Sequence, residues 1–246
     1  MRIAVMGGDR RMDILAERLR ARHAVYRGPS AGLLHGMDAV VAQNVPEDGL
    51  IHMRPGAQLF LMGDAAHIPR GVRCVQMMEI EDFVQKNAVL TAEGAVYAAM
   101  NATEGALTGS CCLVAGYGRI ARALTGMLIG VGAHVIVAAR RAEIRAEAAA
   151  AGASVCDMDG LGSAAAQADF IFSTPPALLF DGEALRRVRP GVPLIDLASA
   201  PYGVDLDAAR ALGVKAWRES GLPGRYCPAA AAALMEEAIE ARLKRE

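Results

Sequence analysis

Net charge, long apolar runs and paired cysteines are what this sequence has least of, and each shortage excludes something. Its 26 Lys and Arg balance 27 Asp and Glu to a formal charge of −1. That balance gives no electrostatic reason to expect nucleic acid or an anionic membrane as partner. No apolar stretch reaches the roughly 18 residues of a membrane-spanning helix. The opening MRIAVMGG turns at once into DRRMD, which is not the architecture of a signal peptide. Five cysteines (Cys74, Cys111, Cys112, Cys156, Cys227) show no Cys-x-x-Cys spacing, and an odd number fits reduced thiols better than a disulfide framework. A cytoplasmic protein is the expectation. His23, His35, His52, His67 and His134 are scattered without an HxxxH pair, so no metal site is expected. Neither Gly-x-Ser-x-Gly nor a Cys–His arrangement suggests covalent catalysis.

What is present is apolar and alternating. Hydrophobic residues make up 53% of the 246 residues and charged residues 22%, enough to fill one large α/β core or two small ones. RIAVMGG (Arg2–Gly8), DAVVAQN (Asp38–Asn44), QLFLMGD (Gln58–Asp64) and RCVQM (Arg73–Met77) read as short strands bounded by Gly, Pro, Asp or Asn. The apolar spacing of Met12, Leu15 and Leu19 marks a helix between the first two. TAEGAVYAAMNA (Thr91–Ala102) reads as a helix with Thr91 at its N-cap, followed by the Gly-rich hinge TEGALTGS. Alternation then restarts: CCLVA, HVIVAA, ASVCD, ADFIFST (Ala168–Thr174), VPLIDLAS (Val192–Ser199) and VKAW as strands, with helices between them. The helix RAEIRAEAAAAG stops at Gly152 as a C-cap would. A closing helix runs from about Ala229 to Arg245, with Pro228 at its start.

The fold expected is therefore α/β, with two Rossmann-like lobes carrying parallel sheets, an interlobe cleft and a C-terminal helix returning to the N-terminal lobe. Residues 1–90 form a substrate-binding-type lobe completed by helix 228–246. Residues 91–109 are the interlobe helix and hinge, and 110–227 the nucleotide-binding domain.

The most informative run is CLVAGYGRIARAL (Cys112–Leu124). Gly116 permits a tight strand-to-helix turn, Gly118 lets the backbone approach a pyrophosphate, and Ala121 is small enough for close helix–strand packing. Tyr117, Arg119 and Ile120 complete the turn, and the N–H groups and dipole of the helix start attract phosphate. Ile120, Leu124, Met127 and Val131 are the expected inward stripe. The following strand ends in Arg140 and Arg141, with no acidic residue before Glu143. A carboxylate there would hold the ribose 2′-OH of NAD, whereas arginine suits the 2′-phosphate of NADP. The pair favours NADP, with NAD second; two solvated arginines opening a helix are the plain alternative.

FSTPPALLF (Phe172–Phe180) and DLASAP (Asp196–Pro201) lie where strands end at the ligand-binding edge of an open sheet. Ser173, Thr174, Pro175, Ala198 and Ser199 are candidates for nicotinamide-side contacts, and equally for turn-making and capping. Asp196, inside an apolar strand, reads as a structural acceptor rather than a base. In the first lobe GGDRR (Gly7–Arg11) occupies the matching turn; Gly8, Asp9 and Arg10 or Arg11 could hold a substrate carboxylate, or simply make the turn.

With these residues in place, the sequence resembles the dipicolinate synthase A family. The likeness covers nearly the whole chain and rests on GGDRR, NAVLTAEGAV (Asn87–Val96), LVAGYGRIARAL, VIVAAR, STPPALLF, IDLASAPYGVD and GLPGRYCPAAAAAL. It implies a Rossmann lobe, a first lobe like the catalytic domains of formate/glycerate-type dehydrogenases, and a flavoprotein-like partner, the B component of dipicolinate synthase. The implied reaction is NADP-dependent oxidation of dihydrodipicolinate, or its hydrated precursor, to dipicolinate in the mother cell of a spore-former. Two substrate carboxylates call for backbone N–H groups or arginines, which GGDRR and GLPGR (Gly224, Arg225) supply. Thr91 and Glu93 are implied as cleft residues, with Glu93 as base. Tyr202 in SAPYG and the run RYCP depart from the family pattern, which is richer in Gly and Lys there. A hydroxyacid-dehydrogenase-like enzyme and a non-catalytic nucleotide-binding or scaffold protein stand as alternatives, and a homo-oligomer is left open.

Overall fold

The computed structural model describes residues 1–28, 31–43, 52–63 and 68–243. Asn44, Asp64, His67 and the expected helix end at Arg245 lie outside the described residues. Two compact units emerge, one of Met1–Leu90 with Pro223–Glu246 and one of Thr91–Leu222.

In the first unit β1 (Arg2–Met6), β2 (Ala24–Arg27), β3 (Ala39–Ala42), β4 (Gln58–Leu61) and β5 (Arg73–Gln76) form a sheet in the order β2-β1-β3-β4-β5. Every pairing is parallel. All four residues of β3 and of β4 are buried, as both-face coverage of a parallel sheet requires. One face packs on α1 (Arg10–Leu19) and α9 (Pro228–Leu243), through Met12, Leu15 and Leu19 against Met235, Ile239 and Leu243. The closing helix thus returns to the first sheet. Leu34, Met37, Leu59 and Leu61 fill the other face. Strand β2 was not expected: AVYR is a half-exposed edge of four residues, too short and too polar to register as an apolar run.

The second unit carries β6 (Cys111–Ala115), β7 (His134–Ala138), β8 (Ser154–Cys156), β9 (Phe170–Ser173), β10 (Leu194–Asp196) and β11 (Ala216–Arg218). They lie in the order β11-β10-β9-β6-β7-β8, all parallel. The chain leaves β6 toward β7 on one side and resumes at β9 on the other, so the order reverses beside β6. That is the switch point where open α/β sheets bind ligands. Helices α3 (Arg119–Gly130), α4 (Ala142–Ala150) and α5 (Leu161–Gln167) follow β6, β7 and β8, and short α6 (Gly182–Leu185) and α7 (Leu206–Ala211) precede β10 and β11. Leu113, Ile171, Phe180, Leu185 and Leu194 fill one core.

Two local expectations are corrected. Helix α2 spans Glu81–Asn101, so Thr91 is an interior residue and not an N-cap. Glu81 and Asp82 occupy the first turn, where acidic residues suit the dipole. Ala88, Ala92, Ala95 and Ala99 are all buried and keep one helical face continuous through Thr91. In α3 the buried face is Ala121, Leu124, Thr125 and Leu128; of the stripe expected, Leu124 is buried, Ile120 and Met127 are half-buried and Val131 is exposed. The period was legible, but which residues are buried is set by the sheet that α3 packs on. GLPGRY, given no element from the sequence, contains a short helix, α8 (Leu222–Tyr226).

Candidate functional site

The second unit opens with a strand, a glycine turn and a helix. Gly116 has φ +87°, and its N–H donates to the Ala138 carbonyl at 2.8 Å. A Cβ there would stand 2.6 Å from Thr174 Oγ1 and 3.0 Å from Pro175 Cδ, so both backbone conformation and space require glycine. Gly118 differs: a Cβ would meet nothing within 4 Å. It is the N-cap of α3 and no side chain accepts from the first turn, so the N–H groups that a helix start leaves unsatisfied point at open space. Tyr117 is buried, with the Arg122 guanidinium 4.9 Å from its ring centre and Arg122 also paired to Glu147. Arg119 is exposed and Ile120 half-buried on the first turn of α3.

A cavity of about 360 Å³ adjoins this turn, walled by Gly116–Gly118 on one side and by Ala138–Arg141, Ile144, Met158, Pro175, Ala177 and Leu179 on the others. Its walls are mostly apolar, with Arg122, Arg140 and Arg141 at the rim. Arg141 is the N-cap of α4 and lies 3.6 Å from Glu143. Arg140 is exposed, and its guanidinium has no bonding partner among the described residues. Arg145 fixes this corner by donating to the carbonyls of Ala139 and Arg140 at 2.9 and 2.8 Å. Neither Arg122 nor Arg145 was expected. Arg122 had a signal in its position one turn beyond Gly118, whereas nothing local marks Arg145. An open glycine at a helix start, an apolar slot and a rim of arginines fit the phosphates, adenine and ribose of a dinucleotide.

At the ends of β9 and β10 the residues are less accessible. Thr174 Oγ1 donates to the Ala115 carbonyl at 2.9 Å. Ser173 is fully buried, Ala198 buried and Ser199 exposed. Ser173 Oγ has no hydrogen-bond partner among the described residues. Asp196, also fully buried, accepts from Ala198 N at 3.2 Å, Gly203 N at 3.3 Å and Arg218 Nε at 3.4 Å. With those bonds it acts as a structural acceptor.

In the first unit Asp9 caps α1: its Oδ1 accepts from Met12 N at 3.2 Å, and its Oδ2 from Arg11 Nη2 at 2.9 Å and from Gln43 Nε2. Gly8 and Arg10 are exposed, while Arg11 is buried. Gly224, in α8, would place a Cβ 2.6 Å from Asp9 Oδ2 and 3.5 Å from Arg11 Cζ. Its glycine is thus demanded by the close approach of α8 to Asp9. Arg225 is exposed and donates to Tyr226 Oη at 3.0 Å. Thr91 is half-buried and Glu93 exposed, both inside α2. Burial pushes the Cys112 thiol up to about 11 and raises Cys74, Cys111 and Cys156, so these sulfurs are not thiolates at neutral pH. Among the described residues no three His, Cys, Asp or Glu side chains cluster as a metal site, and no helix is long and apolar enough to cross a membrane.

A six-stranded parallel sheet with an uncapped glycine turn at its switch point defines a nucleotide-binding domain of the dehydrogenase kind. Residues 75–218 match the family of the D-isomer specific 2-hydroxyacid dehydrogenase NAD binding domain, and the chain belongs to that family. It is also a homologue of the A component of dipicolinate synthase. It is 28% identical over 167 residues to that protein of Bacillus subtilis (strain 168), a match spanning 68% of this chain and 56% of the relative's length. Its fold is similar to the A component of dipicolinate synthase from Bacillus halodurans, with a TM-score of 0.89 at 21% identity, covering 100% of this chain and 98% of that one. The solved structure of the Bacillus subtilis protein is similar at TM-score 0.84 and 21% identity, covering 99% and 95%.

Proposed function

We propose that this chain is an NADP-dependent oxidoreductase of the dipicolinate synthase A type. It would oxidise dihydrodipicolinate or its hydrated precursor to dipicolinate, in the cytoplasm of a spore-forming mother cell and together with a B component. The observation that carries this reading is the open N-terminus of α3 beside a slot rimmed by Arg140. Gly116–Ile120 would hold the pyrophosphate, and Arg140 and Arg141 the 2′-phosphate. Ser173, Thr174, Pro175, Ala198 and Ser199 would line the nicotinamide side. NADP⁺, when bound, supplies the hydride acceptor.

Aromatisation of the substrate ring makes hydride loss downhill, so the protein's task is to orient the C–H bond and accept one proton. We assign the proton to Glu93, with Thr91, two residues earlier on α2, as the second cleft residue. Gly8 and Arg10, with Gly224 and Arg225, would bind substrate carboxylate. Asp9 contributes by holding the turn, since its carboxylate is already committed to α1, Arg11 and Gln43.

A second reading, a nucleotide-binding protein whose partner performs the chemistry, draws on one feature: among the described residues no acidic or histidine side chain lines the arginine-rimmed cavity. Purified chain given the dihydro substrate and NADP⁺ separates the two. NADPH absorbance rising together with dipicolinate supports the first. Turnover that requires the B component and survives Glu93→Gln in this chain supports the second.

A further inference from the structure

The geometry points to Arg218 as the anchor for one carboxylate of the substrate, held ready by Asp196 and Tyr202. This deepens the proposed function and rests on it, since it takes the substrate to be a small dicarboxylate.

The last residues of four adjacent strands lie in one register row, Ala115–Ser173–Asp196–Arg218. Ala115 leads directly into the glycine turn. Three inter-strand steps put Arg218 about 14 Å from it along the same sheet edge, beyond reach of a pyrophosphate seated on α3. The guanidinium is constrained twice. Its Nε donates to the buried Asp196 carboxylate at 3.4 Å, and its carbon lies 3.4 Å from the centre of the Tyr202 ring. Tyr202 has φ +71°, the one non-glycine residue in the left-handed region among the described residues. A bulky side chain kept in that conformation costs of order 1–3 kcal/mol, and such strain clusters at ligand-binding positions.

Gly203 explains how the corner is built. Any Cβ on it would collide with Ser173 Oγ and come within 3.2 Å of Asp196 Oδ1. The backbone therefore closes over these two side chains and delivers the Gly203 N–H to Asp196. Asp196 has its bonds met by Ala198, Gly203 and Arg218. Glu219 next door accepts from Trp217 Nε1 at 3.0 Å. Both Nη groups of Arg218 have no protein partner among the described residues, and its side chain is 30% exposed. A guanidinium fixed at Nε and stacked on one face presents its Nη fork, the geometry that matches a carboxylate. Arg218 would then be a substrate-binding residue, with Asp196 and Tyr202 as positioning residues.

The test titrates pyridine-2,6-dicarboxylate into the full chain saturated with NADPH, by calorimetry, for wild type, Arg218→Gln and Arg218→Lys. We expect Arg218→Gln to weaken dicarboxylate binding about 30-fold and to leave NADPH affinity unchanged. Arg218→Lys should lose about 10-fold, because an ammonium cannot form the fork. Lysine keeps a cation beside Asp196, so this variant decides the matter if the glutamine variant fails to fold. Wild-type dicarboxylate affinity in a folded Arg218→Lys or Arg218→Gln chain would overturn the anchor and leave the proposed function standing. A wild-type chain that binds NADPH but no dicarboxylate would overturn the proposed function, and the anchor with it.

Discussion

Both sheets begin with the same device, a strand running through a positive-φ glycine into a helix, yet the two turns end differently. Gly7 and Gly116 correspond, with φ of +139° and +87°. Two residues later the first unit has Asp9 and the second has Gly118. Asp9 fills the start of α1 with its own carboxylate, so that helix end is satisfied from within. Gly118 leaves the start of α3 to an outside anion. The opposite edges of the sheets are alike. Asp38 accepts the N–H of Arg2 at 2.6 Å and pairs with Arg54, while Asp169 accepts the N–H of Cys111 at 2.9 Å and pairs with Arg189 at 2.6 Å. Each carboxylate pins the first residue of its unit's leading strand. The two units thus share a structural edge and differ at the helix start, where Asp9 takes up the first-turn N–H groups of α1 and Gly118 leaves those of α3 without a side-chain cap.

The largest effect should come from closing the second turn by force. Gly116→Val puts a β-branched side chain at φ +87° and into Thr174 and Pro175. It should cost about 3 kcal/mol of stability and abolish nucleotide binding. Gly8→Ala, where a Cβ meets nothing within 4 Å, should cost under about 0.5 kcal/mol; urea unfolding compares the pair. Next, Asp9→Ala removes the cap and strands buried Arg11, at a cost of about 2 kcal/mol. If the turns are as different as their caps, NADPH affinity is unchanged in that variant. Arg140→Asp should then weaken NADP about 10-fold and NAD much less. Equal loss of both, in parallel titrations, would remove Arg140 from the 2′-phosphate.

The smallest effect belongs to the shared edge. The Cys111 N–H, and then Arg189, hold the Asp169 carboxyl below its ordinary value; the Arg2 N–H and Arg54 do the same for Asp38. A carboxyl lowered on folding stabilises the chain above its unfolded pKa of about 4, and the gain is lost as pH falls through the lower folded value. Wild type should therefore lose stability from about pH 4 downward. Asp169→Asn should be about 1 kcal/mol less stable at pH 7 and flatter in that acid range. An unaltered acid profile in Asp169→Asn would show that the pin carries no stability.

Much of this was legible where a residue's role is local. Gly116 and Gly118 were readable because a strand, a tight turn and a helix follow one another within a few residues, and the alternation of apolar runs with helices announced parallel sheets. The family likeness rested on such runs, and it holds. What escaped was set by packing. Thr91 looked like a cap because threonine often is one, but the buried alanines on both sides of it carry α2 through that position. The inward face of α3 was read only in part, Leu124 being right and Val131 wrong, because which side packs on the sheet is not written in the period alone. Gly224 was visible, but not its reason, since the Asp9 carboxylate it makes room for lies 215 positions away in the chain. Arg145 and Arg218 matter through carbonyls and a carboxylate that only the sheet brings to them.

The most direct measurement is an NADPH titration of Gly118→Asp beside wild type. This substitution gives the second turn the carboxylate cap of the first, at a position where a Cβ meets nothing within 4 Å. The chain should remain folded, with α3 stabilised by a few tenths of a kcal/mol. NADPH affinity should fall about 100-fold, because the cap occupies the N–H groups and repels phosphate. A folded Gly118→Asp chain that binds NADPH as wild type does would contradict the account, and would place the nucleotide somewhere other than the start of α3.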